Sequence, residues 1–355
     1  MRNDGITTCS HRGRGAQCRP HNRYRLWHYV ADAADEASDY QRLPTQIFAD
    51  YPRRIINEVH SPDVGAEYSA NPYQGCEHGC VYCYARNTHN YWGFDAGLDF
   101  ETKIIIKPHA PRLLLKEITH SAYRVKPLML SGNTDCYQPI ERKLRLTRAM
   151  LEVLWQFRHP VSIVTKNALI LRDLDLLRPM AASQLVHVTI SITTLKESLR
   201  RLMEPRAVSG HQRLEVVQRL AQAGIPVNVN IAPIIPFLNS DEIPALVREA
   251  AAAGARSCAL LLVCLNGDVA IVFSDWLQRH FPDRAARVLQ AIRDLHGGSL
   301  SDSRFGIRMR GEGAFAQALQ KLFQMTYKKY FGESRMPPLD CSQFRKLPHQ
   351  KLLFD

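Results

Sequence analysis

The sequence lacks any long apolar run. Its longest, residues 258–265, falls far short of the roughly 20 residues needed to span a bilayer. The N-terminal stretch MRNDGITTCSHRGRG has no apolar core of the kind a secretion signal carries. These two absences point to a soluble, cytoplasmic protein in a reducing compartment, with no membrane partner. Acidic residues are also in short supply, 34 Asp and Glu against 46 Lys and Arg, a formal charge of +12. That balance makes an anionic partner such as nucleic acid a candidate and says nothing about fold. Neither an internal repeat nor a low-complexity tract is present. Hydrophobic residues at 45% and charged residues at 23% are ordinary globular usage and exclude disorder along the whole chain. A chain of 355 residues buries a sizeable core without disulfide staples. In a reducing compartment its nine cysteines read as metal ligands, catalysts or small buried hydrophobes.

The first 60 residues differ from the rest. Within residues 1–25, Arg2, Arg12, Arg14, Arg19, Arg23 and Arg25 face only Asp4 among acids, and apolar periodicity is absent. Residues 1–25 are expected to form a mobile or draped basic arm, with the remainder of 1–60 leading into the first strand. From residue 61 to 272, strand-like and helix-like segments alternate. Apolar, β-branched runs fall at 103–107, 127–131, 161–165, 186–193, 227–231 and 259–265. Helical spacing marks 144–157, 199–203, 214–223 and 243–253. Gly224 and Gly254 stand where two of these helices should stop. Near-continuous apolar strands alternating with helices predict an α/β fold, a parallel sheet covered by helices, flat or curled into a barrel. Residues 273–355 read as a basic, helical C-terminal extension, with an amphipathic helix over 311–331.

The informative stretch is NPYQGCEHGCVYCYARN, which spaces Cys76, Cys80 and Cys83 as C-x3-C-x2-C. Three thiolates within eight residues, in a loop containing Gly75 and Gly79, can point into one pocket. Soft thiolates suit zinc or an iron–sulfur cluster. A closed zinc site needs a fourth ligand, which His78 or a distant cysteine would supply. A 4Fe–4S cluster on three thiolates would leave one iron open. Cys9, His11, Cys18 and His21 form a second, irregularly spaced candidate zinc quartet.

The cysteine spacing, with Tyr82 directly before the third cysteine, resembles the signature of the radical S-adenosylmethionine (SAM) superfamily. The likeness extends to the subgroup of spore photoproduct lyase and its uncharacterised relatives. It is carried by HRGRGAQ, EVHSPDVGAEYSANPYQGCEHGCVYCYARNTH, GLDFETKIIIK, LSGNTDCYQPIERKLRLTR, VTKNALILRDLDLL, MEPRA, APIIP, FPDR and SRFGIRMRGEG. The resemblance implies a partial (β/α)6, TIM-like barrel. It implies a 4Fe–4S cluster on Cys76, Cys80 and Cys83 whose open iron chelates SAM. It also implies an electron donor such as flavodoxin or ferredoxin. The cluster then cleaves SAM reductively to a 5′-deoxyadenosyl radical, which abstracts hydrogen from a substrate, DNA in the lyase. A sulfonium is hard to reduce in water, and a closed site makes the electron transfer local.

The same resemblance distributes roles over further residues. Tyr82 lies near the adenine, or shields the cluster as a buried aromatic. Ser131, Gly132, Asn133 and Thr134 follow a strand where contacts to the SAM amino group are expected. Asp135 beside them reads equally as a helix cap. Lys166 reaches the SAM carboxylate, or is a solvated strand-end lysine. Ser191 bonds SAM from an apolar strand, and a polar residue there needs a partner. Arg206 pairs with SAM or with an acid of the fold. Ala232, with Pro233, offers backbone contacts to the adenine. Tyr84 matches a tyrosine that helps radical propagation. Cys136 is a candidate hydrogen-atom donor, although the donor of the lyase aligns with Gly132, and packing is the competing reading. Cys258 and Cys264 are expected in the core. The reading from a different class is a non-catalytic, zinc-binding nucleic-acid protein. A radical SAM enzyme acting on a peptide or small molecule is the third.

Overall fold

The computed structural model describes residues 11–24 and 43–346. Ten strands form two sheets. In chain order they are β1 (Gln46–Ala49), β2 (Asn57–Glu58), β3 (Tyr68–Ala70), β4 (Tyr73–Gln74), β5 (Lys103–Ile106), β6 (Leu128–Leu130), β7 (Val161–Thr165), β8 (Val186–Ser191), β9 (Val227–Ile234) and β10 (Ser257–Leu262). The larger sheet runs β10-β9-β8-β7-β6-β3-β2, parallel throughout except for the β2–β3 pair. Its parallel strands follow one another in chain order, and helices join most of them, as right-handed strand–helix–strand units do. The fold is mixed α/β.

Near-continuous apolar runs, as the sequence suggested, form β6 and β10, whereas β8 and β9 alternate. Val186, Val188 and Ile190 of β8 and Val227, Val229 and Ile231 of β9 are buried, while His187, Thr189, Ser191, Asn228 and Asn230 between them are half-buried. Period-two alternation places the apolar set under the helices, where each side chain contributes about 1.5–3 kcal/mol. The polar set lines the opposite face. There the Asn228 amide donates to Asn230 at 2.9 Å and Ser257 donates to Asn228 at 2.7 Å.

Helix boundaries follow local chemistry. Helix Gly210–Gln222 starts with a capping box in which Ser209 Oγ accepts from Gln212 N–H and the Gln212 side chain accepts from Ser209 N–H, both at 3.1 Å. It stops at Gly224, whose φ of 77° needs no Cβ to be accommodated. Helix Ile243–Ala252 stops at Gly254 in the same way. Each glycine returns the chain to the next strand.

One strand is placed differently from expectation. Residues 103–107 form a strand that is not part of the main sheet. β5 instead pairs with β1 and β4 in a separate three-stranded sheet. The parallel part of the main sheet begins just before the cysteine loop with β3, whose three residues are too few to show periodicity.

The arm is draped, not mobile, over its described part. Arg14 is 8% exposed and donates to the carbonyls of Glu101 at 2.7 Å and Leu43 at 2.6 Å. The C-terminal extension is equally integrated. Phe273, Trp276 and Leu277 of helix Val269–His280 share a buried cluster with Cys80, Val81 and Tyr82. Residues 299–311 span the gap between the two edges of the main sheet. On the β10 side Leu262 N–H donates to Met309 O at 2.9 Å. On the β2 side Asp63 accepts from Gly306 N–H at 2.6 Å and from Arg308 Nε at 2.7 Å. Among the described residues no helix is long and apolar enough to cross a membrane.

Candidate functional site

The three cysteines lie on the loop between β4 and a 3-10 segment, Tyr84–Trp92. Gly75 and Gly79 adopt φ of 73° and 69°, which lets the loop fold back on itself. Space requires Gly79 as well, since a Cβ there would stand 2.8 Å from Glu101 Oε2. Cys76 N–H donates to Phe100 O at 2.9 Å, and Val81 N–H donates to Met203 O at 3.1 Å. Gln138 braces the loop from a third side, accepting from Glu77 N–H and donating to Gly75 O, each at 3.0 Å.

Beneath the loop lies a fully buried ion pair that sequence reading missed. Arg86 Nη2 meets Glu101 at 2.5 Å, and its Nε donates to Cys80 O at 2.8 Å. Its Nη1 reaches Ala96 O and Gly97 O. Glu101 also accepts the backbone N–H groups of Gly15 at 2.9 Å and Ala16 at 2.8 Å. One carboxylate thus ties the arm to the cysteine loop.

All three thiols are free, with Cys76 and Cys80 buried and Cys83 half-buried. Burial, with Asp135 and the neighbouring Cys80 and Cys83, pushes the Cys76 thiol well up. Burial pushes Cys80 to about 11, with Lys166 pulling it back. Ligation therefore has to release protons from the loop. Among the described residues no three of His, Cys, Asp or Glu converge as ligands of a single ion. His78 does not complete a zinc site with the cysteines. It is 1% exposed, contacts Asn167 Nδ2 through Nε2 at 3.1 Å, and burial lowers its pKa to about 4. A cuboidal cluster takes its thiolates at wider separations than a single zinc ion does, and a three-thiolate donor set fits it. In the second candidate quartet, Cys9 lies outside the described residues.

The C-terminal ends of the parallel strands face this loop. After β7, Lys166 Nζ lies 3.4 Å from Cys80 Sγ, 3.4 Å from the Tyr82 hydroxyl and 3.6 Å from Glu204. Burial alone would depress this lysine, but Cys80, Tyr82 and Glu204 outweigh it and hold it well above its usual range. Lys166 is therefore a fixed cation at the thiols, not a solvated strand end. Glu204 is the second residue that sequence reading missed. Fully buried, it accepts from Tyr82 Oη, from Thr193 Oγ1 at 2.8 Å and from Arg213. Burial would raise its pKa, but Arg213 and Lys166 hold it far below the usual carboxylate range. The signal available was its place in MEPRA, two residues before the arginine that was singled out.

The remaining expected residues divide. Ser131 adopts φ of 72° and accepts from Cys136 N–H at 2.7 Å. Gly132 O accepts from the Tyr84 hydroxyl at 2.7 Å, and Tyr84 itself is 60% exposed. Asn133 lines a small cavity beside Gly132. Thr134 is committed to the fold, accepting from Asn71 and donating to Tyr73 O at 2.9 Å. Asp135 joins the ends of β6 and β7, accepting from Thr165 Oγ1 at 2.8 Å and from Lys166 N–H at 2.9 Å. Ser191 is half-buried on the polar face of β8. The Ala232 carbonyl already accepts from Thr193 at 2.8 Å. Arg206 pairs with an acid of the fold, Glu77, at 3.2 Å.

Cys136 stands apart. It has no exposed surface and belongs to the main core with Tyr137, Met150 and Leu151. That position is the one the packing reading expects. Cys258 is in the core as expected, whereas Cys264 is half-buried with its thiol 3.2 Å from Asn266 Oδ1.

The model of the radical SAM superfamily matches residues 70–250. An uncharacterized protein of Mycobacterium tuberculosis is 32% identical over 246 residues, covering 68% of this chain and 72% of that protein. An uncharacterized protein of Methanocaldococcus jannaschii is 33% identical over 192 residues, 52% of this chain and 66% of that protein. Among solved structures, spore photoproduct lyase complexed with dinucleoside spore photoproduct superposes with a TM-score of 0.57 at 18% identity, covering 81% of this chain and 80% of that chain. A mutant of the lyase with bound AdoMet and dinucleoside spore photoproduct gives a TM-score of 0.54 at 17% identity, over 81% of this chain and 79% of that chain. At such identity the likeness is one of fold. With the family model spanning residues 70–250 and the cysteine loop inside that span, the chain belongs to the radical SAM superfamily of enzymes.

Proposed function

We propose that Cys76, Cys80 and Cys83 hold a 4Fe–4S cluster and that SAM binds at its open iron, within a partial (β/α)6 barrel. When bound, that cluster supplies the low-potential electron that cleaves the C5′–S bond of SAM and yields 5′-deoxyadenosyl radical. The observation that carries this reading is the meeting of Cys80, Tyr82 and Lys166 at one end of a parallel sheet. In barrels, strand C-termini carry the chemistry.

The chain's own groups have separable tasks. Lys166 presents a point cation where a carboxylate of SAM would sit. Glu204 and Arg213 set the position of Lys166 and Tyr82 from below. Gly132, Asn133 and Ser191 present polar groups around the mouth. Tyr84, exposed between Cys83 and Gly132, is the residue we assign to passing a hydrogen atom. Helix Val269–His280 keeps water from the back of the cysteine loop. The substrate we assign is DNA. Its support is the +12 charge and the dinucleoside spore photoproduct bound by the lyase that shares the fold.

Anaerobic reconstitution followed by SAM and a reductant tests the first half. A brown protein with iron and sulfide that forms 5′-deoxyadenosine supports it. Stoichiometric zinc with no SAM turnover overturns it. Product analysis with pyrimidine-dimer DNA tests the second half, and SAM cleavage without any DNA product would remove DNA as substrate.

A further inference from the structure

Beside the turn that follows β6 lies a cavity of about 80 Å3, lined among others by Asn57, Ser69, Gln74, Lys107, Gly132 and Asn133. A water's share of the liquid is about 30 Å3, so the space suits about one tetrahedral oxyanion or two to three waters. No acidic side chain lines it. Lys107 is 8% exposed, and among the described residues its ammonium has no ion pair and no hydrogen bond. Asp50 acts on it only through space. A largely buried cation whose counter-charge acts only at a distance gains from a contacting anion.

The other lining groups are neutral and polar, and several of them can donate, although Asn57 spends its amide N–H on Ile55 O at 3.2 Å and turns an acceptor oxygen to its surroundings. The Gln74 oxygen is taken by Trp92 Nε1, which leaves its amide N–H groups to donate. The side chains of Asn133 and Ser69 make no hydrogen bond among the described residues. The cavity therefore has four side chains at its lining that can donate to an occupant, one of them Lys107, with no hydrogen bond to the protein from their donor groups among the described residues. Gly132 packs closely against the neighbouring strand at the cavity wall, since a Cβ there would stand 2.9 Å from Met129 Cε and 3.1 Å from Ser69 Cβ. The same Gly132 accepts the Tyr84 hydroxyl one residue from Cys83, so the cavity adjoins the cysteine loop.

We propose that this cavity is an oxyanion subsite that takes a phosphate group of the substrate, adjoining the SAM site and sharing Gly132 and Asn133 as its wall. Lys107 supplies the charge, and Gln74, Asn133 and Ser69 supply the remaining hydrogen bonds. The role as a substrate anchor rests on the radical SAM reading, whereas the binding of phosphate does not. Two sources share this chemistry, a phosphodiester of a DNA strand and the phosphate of a free nucleotide.

The test titrates the reconstituted protein, followed by calorimetry, with inorganic phosphate, thymidine 5′-monophosphate and a short single-stranded oligonucleotide. All three should bind saturably. Lys107→Met should weaken each by about tenfold or more, the loss of one charge-assisted hydrogen bond. Lys107→Arg should keep binding within about threefold, since the charge remains. Gln74→Glu, which puts a carboxylate into the cavity, should weaken binding as Lys107→Met does, and it serves if the methionine variant does not fold. Tighter binding of the oligonucleotide identifies the phosphodiester, and tighter binding of the nucleotide identifies the free ester. Equal phosphate affinity in the unaltered protein and both charge variants would overturn the subsite. So would a parallel loss of SAM affinity in Lys107→Met, which would give the cavity to the SAM carboxylate. If phosphate binding is lost in Lys107→Met while no 5′-deoxyadenosine forms, the subsite stands and the enzyme reading falls.

Discussion

Arg86 offers the sharpest test of how the cysteine loop is held. Its guanidinium is fully buried and bonded to Glu101 at 2.5 Å, to Cys80 O at 2.8 Å, to Gly97 O at 2.9 Å and to Ala96 O at 3.1 Å. Replacing it by methionine keeps most of the volume and removes all four bonds. Hydrogen bonds to a charged group contribute about 1.5–3 kcal/mol each. The larger effect is on Glu101, which keeps only the Gly15 and Ala16 N–H groups and is left without its cation. Breaking one side of a buried pair costs about 3–5 kcal/mol. Arg86→Met should lower stability by that amount, read as a fall in urea midpoint at an unchanged m-value. Adding Glu101→Gln to that variant should recover part of the loss, because no unpaired charge then remains. A double-mutant cycle should give a coupling of about 1.5 kcal/mol or more. A loss under about 1 kcal/mol, or strictly additive effects, would refute the idea that this ion pair anchors the loop.

Other outcomes follow from the same network. Glu204→Gln should cost about 3–5 kcal/mol at neutral pH, because Arg213 and Lys166 lose their shared buried counter-charge. The folded protein holds Glu204 below its ordinary value near 4.5, so its contribution is present above that pH and is lost as pH falls toward the depressed folded value. Urea melts of the unaltered protein should therefore weaken below about pH 4.5, and those of Glu204→Gln should show a shallower acid limb. Asp63→Ala should release residues 303–311 from the β2 side and cost roughly 1–2 kcal/mol, seen as faster amide exchange there with β7 and β8 unchanged. Cys83→Ala should fold and fail to retain a 4Fe–4S cluster, and full iron and sulfide in that variant would overturn the ligand assignment.

The cysteine site was legible because it is local. Cys76, Cys80 and Cys83 fall within eight residues, and loop chemistry at Gly75 and Gly79 could be read beside them. Helix ends at Gly224 and Gly254 were legible for the same reason. What escaped was long-range. Glu101 meets Gly15 and Ala16 across about 85 positions, Asp63 meets Arg308 across 245, and Lys166 meets Cys80 across 86. Periodicity encodes neighbours at two to four residues and is silent on such pairs. The polar face of β8 and β9 was in view as alternating letters. It was overlooked because the buried Val and Ile residues on the opposite face dominate the pattern.

Lys166 was read from the resemblance, and Glu204 was not, although the two form one unit. By itself a strand-end lysine looks solvated, and so does an acid in a short helix-end segment until Arg213 and Thr193 are brought against it.

The account depends most on the three thiols acting as ligands to an iron–sulfur cluster that opens SAM. Anaerobically reconstituted protein, treated with SAM and dithionite, should release 5′-deoxyadenosine and methionine. The Cys83→Ala variant should release neither. A protein that binds only zinc, or a Cys83→Ala variant that forms 5′-deoxyadenosine at the rate of the unaltered chain, would contradict the account.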